Sequence, residues 1–269
     1  MDSDTPHKLG DLLASREDEH GTVAVYQRGQ QRFLTFGNAV EQSCLNLDRP
    51  YQLEHVYTQA MMLSLLLKQD AASALVLGLG GGSLVRALQH VHPKMRIDAV
   101  EYRQAVIDAA HDFFALRDTG KLQLHCADAE HFVRSDNRQH DLLMLDLYLA
   151  EGAHPAQVDS DFLALCKDRL GDNGILMVNH WCSEYRDSQA AQTALREAFG
   201  NAVLYLQVQG GNTIAFAFVG ALPRINPKTL FAQAQALGNQ LDIPLQTLAR
   251  NFWRQNAQPL KIGRFSRAG

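Results

Sequence analysis

Three acidic residues of the sequence each stand at the end of a short apolar run, where they could surround one ligand. These residues are Glu101, Asp128 and Asp146. A carboxylate is rarely buried without a partner, and at a strand end it can accept hydrogen bonds from ribose hydroxyls, an exocyclic amine or a nucleophile. The three acids therefore predict a site for a nucleoside and an attacking group, although each has an alternative role as a helix N-cap or turn residue.

A glycine-rich stretch follows the apolar run at residues 74–77 and precedes apolar residues at helical spacing. Its glycines are Gly78, Gly80, Gly81 and Gly82. The apolar run is typical of a buried parallel strand, so the glycines fall on a strand-to-helix turn. Glycine lets a ligand approach the backbone closely, and the helix start offers unpaired N–H groups. With Glu101 about twenty residues further on, this order predicts a nucleoside-cofactor site; a turn that binds nothing is the alternative.

The spacing of the glycines indicates which nucleoside cofactor is expected. They give Gly-x-Gly-x-Gly, and Ser83 or Leu84 falls where a dinucleotide motif needs its third glycine. This form, with an acid on the second strand, resembles the S-adenosylmethionine-dependent transferases of the Rossmann-like class, whose ligand has no pyrophosphate. We therefore expect S-adenosylmethionine, or decarboxylated S-adenosylmethionine, as the cofactor; a nicotinamide dehydrogenase is a distant alternative.

A parallel sheet is needed to bring these residues together. Strand-like runs alternate with helical patterns after residue 73, and residues 202–219 are typical of a hairpin. The predicted fold is α/β, with a Rossmann-like doubly wound, mostly parallel seven-stranded sheet and a C-terminal antiparallel hairpin, preceded by a small N-terminal β-meander. In such a sheet, ligands bind beyond the carboxyl ends of the strands.

The chain divides into three predicted parts. They are an N-terminal tail and β-meander (1–52), a Rossmann-like S-adenosylmethionine-binding domain (53–220) and a C-terminal helical extension (221–269). Residues 1–21 are polar and predict a partly disordered or loosely helical tail. Residues 53–68 are expected to form one helix with a broad apolar face, and residues 171–174 a turn.

Composition restricts the possible partners and the compartment. The chain has 269 residues and a net charge of −4, without a basic run, so nucleic-acid binding is not favoured. The longest apolar stretch, residues 61–67, is too short to span a membrane, and the N-terminus has no apolar segment typical of a signal peptide. We expect a cytoplasmic protein without membrane attachment; a homodimer is a possible assembly.

The cysteines give no sign of a disulfide framework or a zinc site. They are Cys44, Cys126, Cys166 and Cys182, scattered without a Cys-x-x-Cys pair. A reduced protein follows, with Cys126 and Cys166 expected in the core. No histidines stand at ligand spacing, so no metal is expected.

Four side chains are candidates for the transferred group and its acceptor. Asp146 is the candidate catalytic residue, because the loop after the fourth strand normally faces the transferred group. Tyr57 and Tyr148 could line an amine pocket, although Tyr57 could also be a core residue. His180 could bind substrate or act as a general base; a packed or surface histidine is the alternative.

The motifs resemble those of the spermidine synthase family of aminopropyltransferases, over residues 23–219. The matching motifs are Ala74-Leu-Val-Leu-Gly-Leu-Gly-Gly-Gly-Ser, Asp98-Ala-Val-Glu-Tyr, Ala127-Asp-Ala and Asp141-Leu-Leu-Met-Leu-Asp. Members of the family bind decarboxylated S-adenosylmethionine and transfer aminopropyl to putrescine or spermidine. The resemblance implies that Glu101 holds the ribose, Asp128 the adenine, and that Asp146 acts beside the attacking amine.

Several acids of the family pattern are missing. Gly81 stands at the acid of the family's glycine loop, Leu149 replaces the second Asp of its catalytic loop, and Tyr57-Thr58-Gln59 replaces Tyr-His-Glu. Burying a polyamine requires carboxylates, so these changes remove attraction for one. The acids that could compensate are Glu41, Glu54 and Glu151; Glu54 or Glu151 facing the acceptor pocket favours aminopropyl transfer.

The departures place methyl transfer first among the expected functions. The loop form also resembles spermidine-synthase-like methyltransferases, including ones that modify protein amines. A loop without its acid suits a cofactor that keeps its own carboxylate. We therefore expect a transferase that methylates an amine or another nucleophile, on a small molecule or a protein. Aminopropyl transfer to a polyamine is the second expectation, and a non-catalytic nucleoside- or polyamine-binding protein of the same fold is the third.

Overall fold

An antiparallel four-stranded sheet opens the chain in the computed structural model, which describes residues 9–38, 40–149, 152–181 and 188–262. Its strands lie in sequence order. They are β1 (Asp11–Asp18), β2 (Gly21–Arg28), β3 (Gln31–Thr35) and β4 (Glu41–Asn46). This N-terminal sheet is the predicted meander, extended by β1, which lies in the residues predicted to form a tail.

The central sheet has seven strands, of which one runs against the others. The strands are β5 (Ser73–Leu77), β6 (Arg96–Glu101), β7 (Leu122–Cys126), β8 (His140–Leu145), β11 (Leu170–Trp181), β12 (Val203–Gln207) and β13 (Asn212–Phe218). Their order is β12-β13-β11-β8-β5-β6-β7, and β13 is antiparallel to both of its neighbours. A two-stranded ribbon, β9 (Tyr148–Leu149) with β10 (Gly152–Ala153), follows β8. The predicted Rossmann-like fold is confirmed.

Helices cover both faces of the central sheet. The α-helices are α1 (Val56–Met61), α2 (Ser64–Leu67), α3 (Ser83–Val91), α4 (Gln104–Phe113), α5 (Ala129–Ser135), α6 (Ser160–Asp168), α7 (Ser188–Phe199), α8 (Pro227–Leu241), α9 (Leu245–Gln255) and α10 (Ala257–Ile262), with a 3-10 helix at Pro155–Val158. Because β5 is buried on both faces, all its residues are apolar or small. Ala74 and Val76 join the core beneath α3 and α8, whereas Leu75 and Leu77 join the core beneath α6 and α7.

The N-terminal sheet packs against α4 and reaches the glycine-rich loop. Val25, Leu34 and Leu45 form a small core with Val106 of α4 and with Phe114, which ends that helix. The strand order changes direction between β5 and β8, and this switch point is where open α/β sheets bind ligands. The N-terminal sheet therefore stands beside the switch point of the central sheet.

Three local predictions are wrong. Residues 11–18 form β1 rather than a loose tail; most of its side chains are exposed, so no apolar alternation marks it. Residues 53–68 form two short helices, because i to i−3 hydrogen bonds interrupt the helix around Met62 and Leu63, where the Ser64 hydroxyl also bonds the Met61 carbonyl. Residues 171–174 form a bulge inside β11, where the pairing with β8 shifts register.

The cysteine placement differs from expectation at one position. Cys166 is buried as predicted, but Cys126 is exposed, because it is the last residue of β7, which is the edge strand of the central sheet. Cys182 lies outside the described residues. Among the residues that the structure describes, no group of His, Cys, Asp or Glu is arranged to hold a metal ion. In the same part of the chain, no helix is both long and apolar enough to cross a bilayer.

Candidate active site

A cavity of about 850 Å³ lies at the carboxyl ends of the central strands, against the N-terminal sheet. This volume is within the usual range for a small-molecule site. Of the residues predicted for the site, those that line the cavity are Gly78, Gly80, Glu101, Asp128, Asp146, Tyr57 and Tyr148. The structure therefore brings together residues that are up to about ninety positions apart in the sequence.

Gly78 allows two strand ends to meet at the floor of the cavity. Its φ is +91°, and a Cβ atom there would lie 2.2 Å from the backbone oxygen of Asp146. The Asp146 N–H in turn donates to the Leu77 carbonyl at 2.9 Å. Only glycine fits both the conformation and the contact, so β5 and β8 leave the sheet side by side.

Gly81 and Gly82 lie behind the cavity and do not line it. The Gly81 N–H donates to the Ser43 hydroxyl of β4 at 2.8 Å, and a Cβ atom on Gly81 would lie 2.7 Å from a ring carbon of Phe114. Gly82 has a left-handed conformation and is the N-cap of α3. These two glycines were predicted to contact the cofactor; in the structure they direct the start of α3, whose Ser83 reaches the cavity.

Arg86 supports the glycine loop from inside α3, a role that the sequence did not reveal. Its guanidinium donates to the carbonyl of Pro50 at 2.7 Å and to the carbonyl of Gly81. Burial lowers the pKa of Arg86 to about 10. The loop is thus held by one side chain from β4 and one from α3.

Glu101 is fixed at the tip of β6 by backbone N–H groups. One carboxylate oxygen accepts from Leu79 at 3.2 Å and the other from Arg103 at 3.0 Å. Burial raises the pKa of Glu101 above its ordinary value, although these N–H groups act in the opposite direction. The backbone N–H groups of Gly80 and Tyr102 also act on this carboxylate, so a ribose hydroxyl would join donors that are already arranged around it.

Asp128 combines the two roles that the sequence left open. It is the N-cap of α5, where its carboxylate accepts from the His131 N–H at 2.8 Å, and it also lines the cavity. The second carboxylate oxygen has no hydrogen bond with a described residue. Asp128 can therefore cap the helix and accept a hydrogen bond from a ligand at the same time.

Asp146 lies at the centre of a polar network between β8, β11 and β13. Its carboxylate accepts from the Asn179 amide at 2.8 Å, and the Tyr57 hydroxyl is the second hydrogen-bonding group facing it. Asn212 donates to the Asn179 side-chain oxygen at 2.9 Å, which fixes the orientation of that amide. Burial raises the pKa of Asp146 to about 6, so the carboxylate is ionised at neutral pH.

His180 lies elsewhere than predicted. Successive side chains of a strand point to opposite faces, and in β11 it is Asn179 and Trp181 that line the cavity. His180, between them, is 5% exposed, and burial lowers its pKa to about 4. Asn179 occupies the position near the reacting group that was assigned to the histidine; nothing in the sequence distinguished the two faces.

Two further carboxylates stand at the end of the cavity formed by β4 and α1. His55 lies 3.3 Å from Glu41 and stacks on the Tyr57 ring at a centroid distance of 5.6 Å. Gln31 donates to Glu54 at 3.2 Å. Burial raises the pKa of Glu41, with Arg28 lowering it and Glu54 raising it further. Of the three acids proposed to compensate, Glu41 and Glu54 line the cavity, and Glu151 lies outside the described residues.

The lining of the cavity is strongly acidic. Its carboxylates are Glu41, Glu54, Glu101, Asp128 and Asp146. The basic side chains among its described lining residues are histidines only, namely His20, His55 and His154. Burial lowers the pKa of His55, which disfavours a positive charge on its ring. The cavity is therefore complementary to a ligand that carries several positive charges.

Comparisons with known proteins match both the fold and this region. The profile of the spermine/spermidine synthase domain matches residues 54–209. The polyamine aminopropyltransferase of Neisseria meningitidis is 30% identical over 220 residues, which cover 81% of this chain and 83% of the relative. A probable spermidine synthase from Corynebacterium glutamicum has a similar fold, with a TM-score of 0.69 and 17% identity over 89% of this chain and 94% of that one.

A methyltransferase has the same fold. Human methyltransferase-like protein 13, solved in complex with SAH, gives a TM-score of 0.60 and 25% identity, covering 70% of this chain and 93% of that one. This similarity covers less of the present chain than the similarity to the polyamine aminopropyltransferase.

Proposed function

The chain belongs to the spermine/spermidine synthase family and is a transferase, and we propose that it moves an aminopropyl group from decarboxylated S-adenosylmethionine to a polyamine. The observation that carries this proposal is the acidic lining of the cavity, with five carboxylates and no lysine or arginine among its described residues. Methyl transfer, which the sequence placed first, has weaker support.

The charge of the donor is the reason for preferring the decarboxylated form. Decarboxylated S-adenosylmethionine carries an ammonium and a sulfonium, whereas S-adenosylmethionine also carries a carboxylate. The carboxylate of S-adenosylmethionine would face the carboxylates of this cavity. No lysine or arginine among the described lining residues would offset the repulsion, so binding of that donor is unfavourable. From the sequence alone, the missing acid at Gly81 favours S-adenosylmethionine. Because Gly81 does not line the cavity, this support is weaker than the sequence suggested.

A row of side chains leads from the reacting position to the acidic end of the cavity. Tyr57 faces Asp146 and stacks on His55, which in turn contacts Glu41. Burial raises the pKa of Tyr57 well above its ordinary value, and the charges of Asp146 and Glu41 both add to the effect. An amine beside Asp146 could therefore extend its methylenes along two rings and place a distal ammonium near Glu41 and Glu54.

The residues around Asp146 suit an in-line attack by an amine. When bound, the donor supplies an activated carbon: the amine nitrogen forms the new C–N bond as the C–S bond breaks, and the sulfur leaves as the neutral thioether methylthioadenosine. Asp146 accepts a hydrogen bond from the amine, which directs the lone pair and stabilises the positive charge that develops on nitrogen. Asn179 and Tyr57 hold the carboxylate in place.

The proposal is tested by comparing the two donors with the purified chain. We expect methylthioadenosine to form from decarboxylated S-adenosylmethionine with putrescine or spermidine as acceptor. S-adenosylmethionine with the same acceptors should give S-adenosylhomocysteine at less than about 1% of that rate, a difference of about 3 kcal/mol in barrier. Chromatography of the nucleoside products measures both. Formation of S-adenosylhomocysteine with an inert decarboxylated donor would reverse the assignment.

Removing charge from the acidic end of the cavity should weaken binding of the acceptor and leave binding of the donor unchanged. For Glu41→Gln and Glu54→Gln we expect KM for the polyamine to rise about tenfold, since each loses a hydrogen bond to a charged group. KM for the donor should stay within about twofold. Glu197→Gln, an exposed acid on α7, is the matched control and should leave both constants unchanged. Equal increases of both KM values in Glu41→Gln would contradict this division of the cavity.

A further inference from the structure

The turn between β1 and β2 reaches the cavity beside Glu101. His20, in this turn, lines the cavity, and its ring centroid lies 4.6 Å from that of Tyr102. Tyr102 follows Glu101 directly, lines the same cavity and is 52% exposed. Two rings from distant parts of the chain therefore form one side of the cavity, next to the acid expected to hold a ribose.

Arg103 fixes this turn with a bidentate ion pair. Its guanidinium donates to both carboxylate oxygens of Asp18, at 2.9 Å and 2.7 Å, and to the Gly21 carbonyl at 2.7 Å. Arg103 is 8% exposed, and its side-chain hydrogen bonds lower the pKa of Asp18. A planar guanidinium that pairs with a carboxylate in this way fixes direction as well as distance.

The same residue also contacts two other parts of the cavity wall. The backbone N–H of Arg103 donates to Glu101 at 3.0 Å. Its guanidinium carbon lies 5.0 Å from the ring centroid of Phe36, a further lining residue. Arg103 thus connects the β1–β2 turn, the β3–β4 connection and the acid at the tip of β6.

We propose that Arg103 is a positioning residue for the nucleoside site: its ion pair with Asp18 holds His20 and Tyr102 against the bound nucleoside. The inference rests on the proposed function only in that the cavity takes an adenosine compound. It does not depend on which group is transferred, and the acceptor end of the cavity takes no part in it.

The test measures binding of methylthioadenosine by calorimetry, because this compound has the nucleoside without a transferable aminopropyl group. For Arg103→Lys, Asp18→Asn and His20→Ala we expect a loss of affinity of about tenfold each. Asp18 and Arg103 act through the same ion pair. The double variant Asp18→Asn/Arg103→Lys should therefore lose no more nucleoside affinity than the weaker-binding of the two single variants. Arg16→Lys is the matched control: it lies on β1 and pairs with Asp108 and Asp112 on the exposed side of α4, and should bind as the wild type does.

Steady-state kinetics separate positioning from a general loss of structure. KM for the donor should rise about tenfold, whereas kcat at saturation and KM for the acceptor should stay within about twofold. Unchanged nucleoside affinity in Asp18→Asn, at the end of β1, and in His20→Ala, in the exposed turn, overturns the inference even where Arg103→Lys fails to fold. Nucleoside binding without aminopropyl transfer would refute the proposed function alone; wild-type protein that binds no nucleoside would refute both.

Discussion

Replacing Asp146 by asparagine is expected to lower turnover by a factor of about 100 to 1,000, the usual cost of removing one group that stabilises charge developing in the transition state. Asparagine keeps the shape of the side chain but removes the negative charge that, in the proposed function, faces the attacking amine. The donor should bind within about twofold of the wild type, since the residues proposed to contact the nucleoside lie on other elements, namely β6, the start of α5 and the β1–β2 turn. Single-turnover kinetics, with calorimetry of donor binding, measure the two quantities separately.

The same substitution should not cost stability at alkaline pH. Burial raises the pKa of Asp146 from 3.8 to about 6, so between these values the folded protein holds a proton that the unfolded chain has lost. The contribution of this group to the free energy of unfolding therefore falls as the pH rises through this window. The variant Asp146→Asn does not titrate and so does not lose this stability. At pH 8, Tm of the variant is expected to equal or exceed that of the wild type, while wild-type turnover should increase with pH through about 6.

The control for this prediction is Asp172→Asn, which removes an acid from the exposed bulge of β11 and should change neither turnover nor Tm. If Asp146→Asn loses donor affinity and turnover equally, Asp146 acts as a structural acid. A fall in Tm at pH 8 would point to the same conclusion.

Glu101→Ala is expected to weaken nucleoside binding by about 1.5–3 kcal/mol, the value of hydrogen bonds to a charged acceptor. The loss should appear with methylthioadenosine and with the donor alike, because both present the same ribose. Glu101→Gln keeps one oxygen for the Leu79 or Arg103 N–H, so it should lie between the alanine variant and the wild type. Calorimetry at fixed ionic strength measures all three proteins.

An unchanged affinity in Glu101→Ala, with Tm equal to that of the wild type, would remove Glu101 from the nucleoside site. The exposed acid variant Glu197→Gln serves again as the reference for a change of charge far from the cavity. Since Glu101 also accepts two backbone hydrogen bonds, a Tm difference between Glu101→Gln and Glu101→Ala shows how much of the effect comes from the loop.

The central fold could be predicted because its signals are local. Residues 74–77 are buried on both faces and had to be apolar, and Gly78 had to be glycine where β5 passes the backbone of Asp146. The acids at the ends of β6, β7 and β8 follow directly from these strand patterns. Because the strands were predicted to be parallel, their carboxyl ends were expected to lie at the same edge of the sheet.

The remaining features depend on contacts that no local pattern records. β1 is exposed and is held by backbone pairing with β2, so its sequence shows no apolar alternation. Whether Asn179 or His180 faces the cavity depends on the register of β11, and a shift of one residue exchanges the two. The contact of Ser43 with Gly81 joins two separate sheets, and the spacing of residues within either sheet does not reveal it.

The contact behind the glycine loop also limits which residues this chain can accept at position 81. Gly81 has no room for a Cβ atom while a ring carbon of Phe114 lies 2.7 Å from that position and Ser43 Cβ lies 3.0 Å from it. An acid at this position therefore needs simultaneous changes in β4 and at the end of α4. The three positions therefore constrain one another, and we expect Gly81→Asp to lower the Tm unless Ser43 and Phe114 are changed with it.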